Sequence, residues 1–382
     1  MLLVGVANFY PLDAVTKTES DNIFLRIKDS FKVEITVGSY IFNDGSIYFG
    51  ELRRKLPHGW GKTVFKNGDV YEGEYSKGNR SGYGVLKHID GERYEGEWLA
   101  DKQNGWGNYY YLNNNHYAGQ WKNNMQDGDG TLFYHNGDIY RGKWKGNKRH
   151  GVGTYTWYSG AQYIGDWLDD RKDGVGTLKW DDGSSYVGTW KGDARSGHGT
   201  FIYVHGDKYE GDWLNDVQHG KGVYQFQSGD VYKGSYSHGE RTGTGVYEYV
   251  NGDTYTGEFQ SGRQHGKGKF TWVNGAVYDG DWVNNNREGE GRYLWSNGDV
   301  YEGEWKNSQP CGHGTLLFIS GEKYVGEFLK GLEHGKGVHY DADGKRSEGT
   351  FKEGKRDGLF IDYDVNGQEV GRTTYVQGLK KN

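Results

Sequence analysis

"YEGDWLNDVQHGKG", residues 209–222, holds paired acids, a histidine and a lysine between two glycines. Taken alone, it has the ingredients of an active site. Its meaning rests on recurrence, because the same spacing returns every 23 residues from Tyr48 to Ser347. The first position is Tyr48, Tyr71, Tyr94, Tyr117, Tyr140, Tyr163, Tyr186, Tyr209, Tyr232, Tyr255, Tyr278, Tyr301 and Tyr324, then Ser347. Glycine follows at position 3 in all 14 copies, and an aromatic at position 5 in 13, the exception being Leu52. Eight of those aromatics are tryptophan: Trp98, Trp121, Trp144, Trp167, Trp190, Trp213, Trp282 and Trp305. Position 12 is always glycine; position 14 fails only at Phe360 and position 21 only at Asn114. These positions hold 54 of the 66 glycines, so glycine here follows the architecture and not a nucleotide loop.

Within a copy the residues alternate. Tyr209, Gly211 and Trp213 share one face of a strand, with Glu210 and Asp212 on the other. Gly220, Gly222, Tyr224 and Phe226 repeat the pattern, "LNDVQH" reads as the loop between, and dipeptides such as Asn67-Gly68 signal a tight hairpin. One copy is thus two short antiparallel strands, and the chain is one long meander. A lone hairpin is marginal in water, so each copy depends on its neighbours. A glycine leaves a hollow in which a ring from the adjacent strand lies close to the backbone. The expected fold class is all-β, an elongated single-layer twisted antiparallel sheet, a rod on the order of 130 Å long with strands about 4.8 Å apart.

The ends depart from the rule. Residues 1–35 form an extension or cap, with "FKVEI" (31–35) alternating like a capping strand or serving as a partner-binding arm. Residues 36–47 match half a repeat, 48–346 are thirteen repeats, and 347–382 are a degenerate fourteenth with a cap.

Composition excludes several classes. Aromatics are 16% of the chain against 34% for all hydrophobic residues, too few aliphatics for a thick core. A single cysteine, Cys311, rules out a disulfide framework or a multi-cysteine zinc site and suits a reducing cytosol. The apolar opening "MLLVGVANFYPL" is short and has no preceding Lys or Arg, so it does not read as a signal peptide, and no stretch reaches membrane-spanning length. A net charge of −6 with dispersed Lys and Arg gives no nucleic-acid footprint.

The sharper motifs dissolve one by one. Only His58, His150, His219, His265 and His334 occupy position 11, never in neighbouring copies, and strand spacing would keep even neighbours ~10 Å apart. No metal is expected. "HGKG" (219–222, 265–268 and 334–337) lacks the spacing and the Ser/Thr of a phosphate loop, and "DGDGT" (127–131) has Thr131 at the fifth position of a calcium loop and Asp138, not Glu, at the twelfth. Acid pairs such as Glu72 and Glu74, Glu95 and Glu97, Glu210 and Asp212, and Glu302 and Glu304 recur on the ring-free face, where they read as a solvated surface. No nucleophile, base and orienter fall together, so neither an enzyme nor a cofactor is expected.

Tyr-x-Gly-x-Trp followed by His-Gly-x-Gly, clearest in "YEGDWLNDVQHG" (209–220) and "YEGEWKNSQPCGHG" (301–314), resembles the MORN repeat (membrane occupation and recognition nexus) over about Thr36 to Leu379. The resemblance implies an extended twisted sheet. Relatives include junctophilin-like membrane tethers, plant phosphatidylinositol phosphate kinases with a separate catalytic domain for which this chain has no room, radial spoke head proteins, and cytoskeletal proteins of protozoan parasites. It therefore implies a scaffold of a cilium, a flagellum or the cell cortex. A single layer leaves part of its ring face as an apolar strip. The candidate groove for a helix or a second copy is Tyr94, Trp98, Tyr117, Trp121, Tyr140, Trp144, Tyr163, Trp167, Tyr186, Trp190, Tyr209 and Trp213. The alternative is a membrane tether binding anionic phospholipid through "ELRRK" (51–55), "KGNKR" (145–149) and "GLKK" (378–381), which the negative net charge opposes.

Overall fold

The glycine that follows each strand-borne tyrosine by two residues sets the architecture. In the computed structural model, which describes residues 34–381, the described residues form thirty-two strands and no helix. The chain divides into two units, Met1–Met125 and Gln126–Asn382. In the first, Ile35–Ile41 pairs with Ile47–Arg53, which pairs with Leu56–Val64, and the meander continues to His116–Lys122. In the second, antiparallel pairing likewise steps from strand to sequence neighbour, from Met125–Phe133 to Leu379–Lys380. Each unit is an open antiparallel sheet.

One copy consists of a seven-residue strand such as Lys208–Leu214 and a nine-residue strand such as Val217–Gln225. Asn215 and Asp216, with φ of 49° and 68°, join them. Two consecutive left-handed residues make a type I′ turn, whose twist matches that of the strands it connects. The expected loop "LNDVQH" is therefore only a two-residue turn, and Val217–His219 already belong to the next strand. The Ser228-Gly229 end closes differently. Phe226 N–H donates to Asp230 O (2.9 Å), Gly229 N–H donates to Phe226 O (3.0 Å), and Gly229 has φ 98°. The long strand also carries a bulge: Gly211 faces Gly222 and Asp212 faces His219, so Gly220 and Lys221 are extra residues.

The core is a file of rings lying on glycines. The thirteen position-1 tyrosines are 0–1% exposed. Tyr209 covers the Gly211/Gly222 pair so closely that a Cβ on Gly222 would lie 2.5 Å from its ring. Its hydroxyl donates to Asp212 O at 2.9 Å, and the other twelve tyrosines bond position 4 of their own copies at 2.7–3.1 Å. Trp213 meets Tyr209 edge-on at 5.2 Å and the preceding copy's Tyr186 at 5.4 Å. All eight position-5 indoles donate Nε1–H to a glycine carbonyl of the preceding copy at 2.9–3.3 Å. In the first unit the edge-on series runs from Tyr48 through Tyr75, Tyr71, Trp98, Tyr94 and Trp121 to Tyr117. In the second it runs from Trp144 and Tyr140 through Trp190 and Tyr186 towards Phe351. Each edge-on pair contributes about 0.5–1.5 kcal/mol beyond area burial.

The ends repair their departures. Ile35–Ile41 supplies the half repeat, with Gly38 facing Gly50. The capping strand expected over 31–35 lies, except for its last two residues, outside the described residues. At the other end Ser347 lacks a ring, and Phe360 stands where glycine is the rule. Phe360 is fully buried, lies 2.6 Å from where a Cβ of Gly349 would be, and packs edge-on against Phe351 and Tyr375. The ring and the glycine have exchanged strands, so the series continues.

Replacing Gly222 with Ala should lower the denaturant midpoint of the repeat array by the equivalent of about 1–3 kcal/mol, because neither Tyr209 nor the facing backbone can retreat. An unchanged midpoint in equilibrium unfolding would show that the ring does not rest on the glycine.

Candidate functional site

The ring side is closed by its own side chains. Tyr94, Trp98, Tyr117, Trp121, Tyr140, Trp144, Tyr163, Trp167, Tyr186, Trp190, Tyr209 and Trp213 are 0–6% exposed. Residues at positions 10, 16 and 18 lie over them. The Arg195 guanidinium sits 4.3 Å from the Trp213 ring centroid and 5.1 Å from that of Phe201. It is held there by the next copy's turn, with Nε on Asp216 Oδ1 at 3.0 Å and Nη2 on Asp216 O at 2.8 Å. Arg80 with Asp101 and Trp98, and Arg149 with Asp170 and Trp167, repeat the staple. The strip that alternation left open to solvent is closed by this layer, and a partner on that side would meet the arginines and outer rings first.

The acid pairs have two different jobs, of which the sequence showed only one. In three of the four pairs the first acid ion-pairs locally, Glu72 with Lys62, Glu95 with Arg93 and Glu210 with Lys208. The second caps the bulge. Asp212 Oδ2 accepts the Lys221 N–H at 3.1 Å, and Glu74, Glu97, Asp166, Glu304 and Glu327 do the same in their copies. A third acid, at position 22, ties one copy to the next. Asp207 accepts from Tyr224 Oη (2.6 Å) and Gln227 N–H (2.7 Å), and Asp138 accepts from Tyr155 Oη and Tyr158 N–H. Burial pushes the carboxyls of Asp138 and Asp207 up, but these donors outweigh it and hold both below the usual carboxylate range. A carboxyl held below its ordinary value is a poor general acid at neutral pH.

The other chemical candidates fall to local structure. Lys221 donates to Ser235 Oγ at 2.8 Å and Lys267 pairs with Asp281 at 2.6 Å, so these two lysines of "HGKG" sit on neighbouring strands. Asp129 of "DGDGT" binds Lys143. Burial pushes the Cys311 thiol up, away from the thiolate a nucleophile needs. Among the described residues no three His, Cys, Asp or Glu side chains gather as metal ligands do.

The ring-free face holds the feature that sequence reasoning missed. Within the second unit a cleft of about 1150 Å³ opens between Glu290 and Ile361. Its floor crosses the strands in register, Glu302–Thr315–Val325–Val338–Glu348–Ile361. Val300, Leu317 and Leu359 widen the apolar floor, and Arg292, His313 and Lys336 stand with the glutamates around it. The signal at positions 2 and 15 was faint, because the last three copies carry Val325, Val338 and Ile361 there but also Glu302, Thr315 and Glu348.

The MORN repeat family model matches thirteen consecutive 23-residue windows, from 48–70 to 324–346, and then 348–359. No curated protein matches the chain. Similar solved structures include the SAS-4 (dCPAP) TCP domain of Drosophila melanogaster in complex with a proline-rich motif of Ana2 (dSTIL), with 16% identity, 47% of this chain and 90% of that chain covered, and a TM-score of 0.27. The TCP10 domain of Danio rerio CPAP has 10% identity, covers 58% of this chain and 93% of that chain, and has a TM-score of 0.20. Virginiamycin B lyase of Staphylococcus aureus has 10% identity, 77% and 92% coverage, and a TM-score of 0.12. Likenesses of that size carry no argument about fold or function.

The buried phenols give the rings a pH signature. Burial pushes Tyr48, Tyr186 and Tyr232 up to about 12 from 10.0, and Tyr163 and Tyr209 also upward. A phenol raised in the fold stabilises it fully below its unfolded value and loses that contribution as pH climbs through the folded value. Stability should therefore hold to pH 10 and fall steeply towards pH 12, with tyrosinate absorbance rising together with the loss of strand signal in circular dichroism. Position-1 phenols that ionise near pH 10 in a still-folded chain would contradict the packing.

Proposed function

Because the chain belongs to the MORN-repeat family, we propose that it is a non-enzymatic scaffold that holds a protein partner in the cleft between Glu290 and Ile361. The partner is a component of the cytoskeleton, in a cilium, a flagellum or the cell cortex. The observation that carries this reading is the cleft itself, an apolar floor lined by charges on the ring-free face. Its chemistry suits an amphipathic helix, whose apolar stripe lies on Val325 and Val338 while its polar flanks meet Arg292, Lys336, Glu302 and Glu348. The ring side is the second candidate seat, where Arg149 lies over Trp167 and Trp144 is buried beside Tyr140.

Val325→Arg places a charge on the apolar floor without touching a buried ring. With circular dichroism unchanged, it should weaken retention of the tagged protein in detergent-extracted cytoskeleton by about tenfold, the effect of losing one central contact. Retention that survives Val325→Arg but is lost when Trp144 and Trp167 are made small and polar, in a variant whose circular dichroism is unchanged, would move the seat to the ring side. Salt-sensitive sedimentation with phosphoinositide vesicles and no cytoskeletal retention would replace the scaffold with a membrane tether.

A further inference from the structure

A second surface of the ring-free face has a charge pattern that matches itself. Across seven strands of the second unit the register places Arg141, Thr154, Ile164, Thr177, Val187, Thr200 and Glu210 in one row. Val152 and Val175 lie beside it. Val152, Ile164, Val175 and Val187 are 47–63% exposed, so four aliphatic side chains share one patch in water, with Asp166 among them bonded to the Val175 N–H. The ends of the row are charged with opposite sign. Arg141 is exposed and has no carboxylate within 4 Å among the described residues, while Glu210 stands at the far end with Lys208.

We propose that this patch is an isologous dimer interface, occupied face to face by a second copy of the chain. A two-fold axis parallel to the strand Arg171–Lys179, passing over Thr177, reverses the row. Arg141 then faces Glu210 of the other copy, and Ile164 faces Val187. The neighbouring row obeys the same axis: Lys143 faces Asp212, Asp129 faces Lys221, and Val175 meets its own counterpart. Asp129, Lys143, Arg141, Glu210, Asp212 and Lys221 thus pair with opposite charge on both sides of a centre of aliphatic side chains and threonines, in which Asp166 faces Thr189 and Val152 faces His198, and symmetry doubles each contact. The pattern also selects its register. Moving the axis to the next strand, Ser185–Lys191, sets Arg141 against Lys233. Lys179, on the axis strand, bounds the patch at one end. Seven strands at about 4.8 Å and some five residues along each give roughly 500 Å² of plan area per copy, the size of a small specific interface. Two twisted sheets packed in this way lie about 10 Å apart with strands within about 30°. The inference concerns a surface separate from the partner cleft, so either can fail alone.

Sedimentation equilibrium of the full chain at about 100 μM, above the roughly micromolar dissociation constant of a small interface, should show a dimer. Arg141→Glu and Glu210→Arg should each weaken it by about tenfold or more, because each creates like-charge contacts twice over. The double variant, which restores both pairs with the signs exchanged, should recover the dimer. Thr177→Cys in a Cys311→Ser background should be joined to its counterpart by a short bismaleimide, since it lies on the axis. A monomer at that concentration, a dimer indifferent to the single reversals, or a double variant no better than the singles would each overturn the proposal.

Discussion

A tyrosine ring laid flat on two facing glycines is the contact on which the structure depends. Tyr209 can reach the backbone at Gly211 and Gly222 only because neither carries a Cβ, and from there its hydroxyl reaches the Asp212 carbonyl. That position exposes the ring edges to two indoles or their equivalents, one from the same copy and one from the next. An open sheet, which ordinarily needs a second layer to bury its apolar face, thereby buries it against its own backbone and against neighbouring copies. The indole Nε1–H bonded to the preceding copy, the arginine stapled to the next turn and the position-22 acid act across the same boundary. Stability in such an array is a sum over neighbours and not the property of one core.

The period made strands, faces and the glycine hollows readable from sequence, since each follows from residue type repeated at fixed intervals. What stayed hidden depended on backbone geometry that residue type marks only weakly. The Asn215-Asp216 turn could be read as the start of a loop, because Asn and Asp suit both loops and left-handed turns. The bulge at Gly220 frees an N–H that Asp212 then caps, and without the bulge that acid looks like one more surface carboxylate. Phe360 looked like decay of the pattern. Only pairing across the hairpin shows that it replaces the ring missing at Ser347 from the opposite strand. The cleft was overlooked for a different reason: its residues vary between copies, and attention to the period favours what does not vary.

That contrast divides the two faces by role. Positions 1, 3, 5, 12 and 14 are nearly constant because each touches another copy or the ring. Positions 2, 13 and 15 are free of that constraint, and they change from charged in some copies to threonine and valine in others. The ring-free face is accordingly free to vary copy by copy, while the ring face holds the copies in order. Two stretches of the second unit depart from the charged background, one a cleft and one an exposed patch.

The central claim is that position-1 and position-5 rings couple adjacent copies. A double-mutant cycle on Tyr163 and Trp190, whose ring centroids are 5.5 Å apart across a repeat boundary, measures that coupling directly. With both residues changed to leucine, singly and together, the coupling free energy should be about 0.5–1.5 kcal/mol. The same cycle on Tyr163 and Trp213, one copy further on, should fall within about 0.5 kcal/mol of zero. Equal coupling for the two pairs would contradict the account.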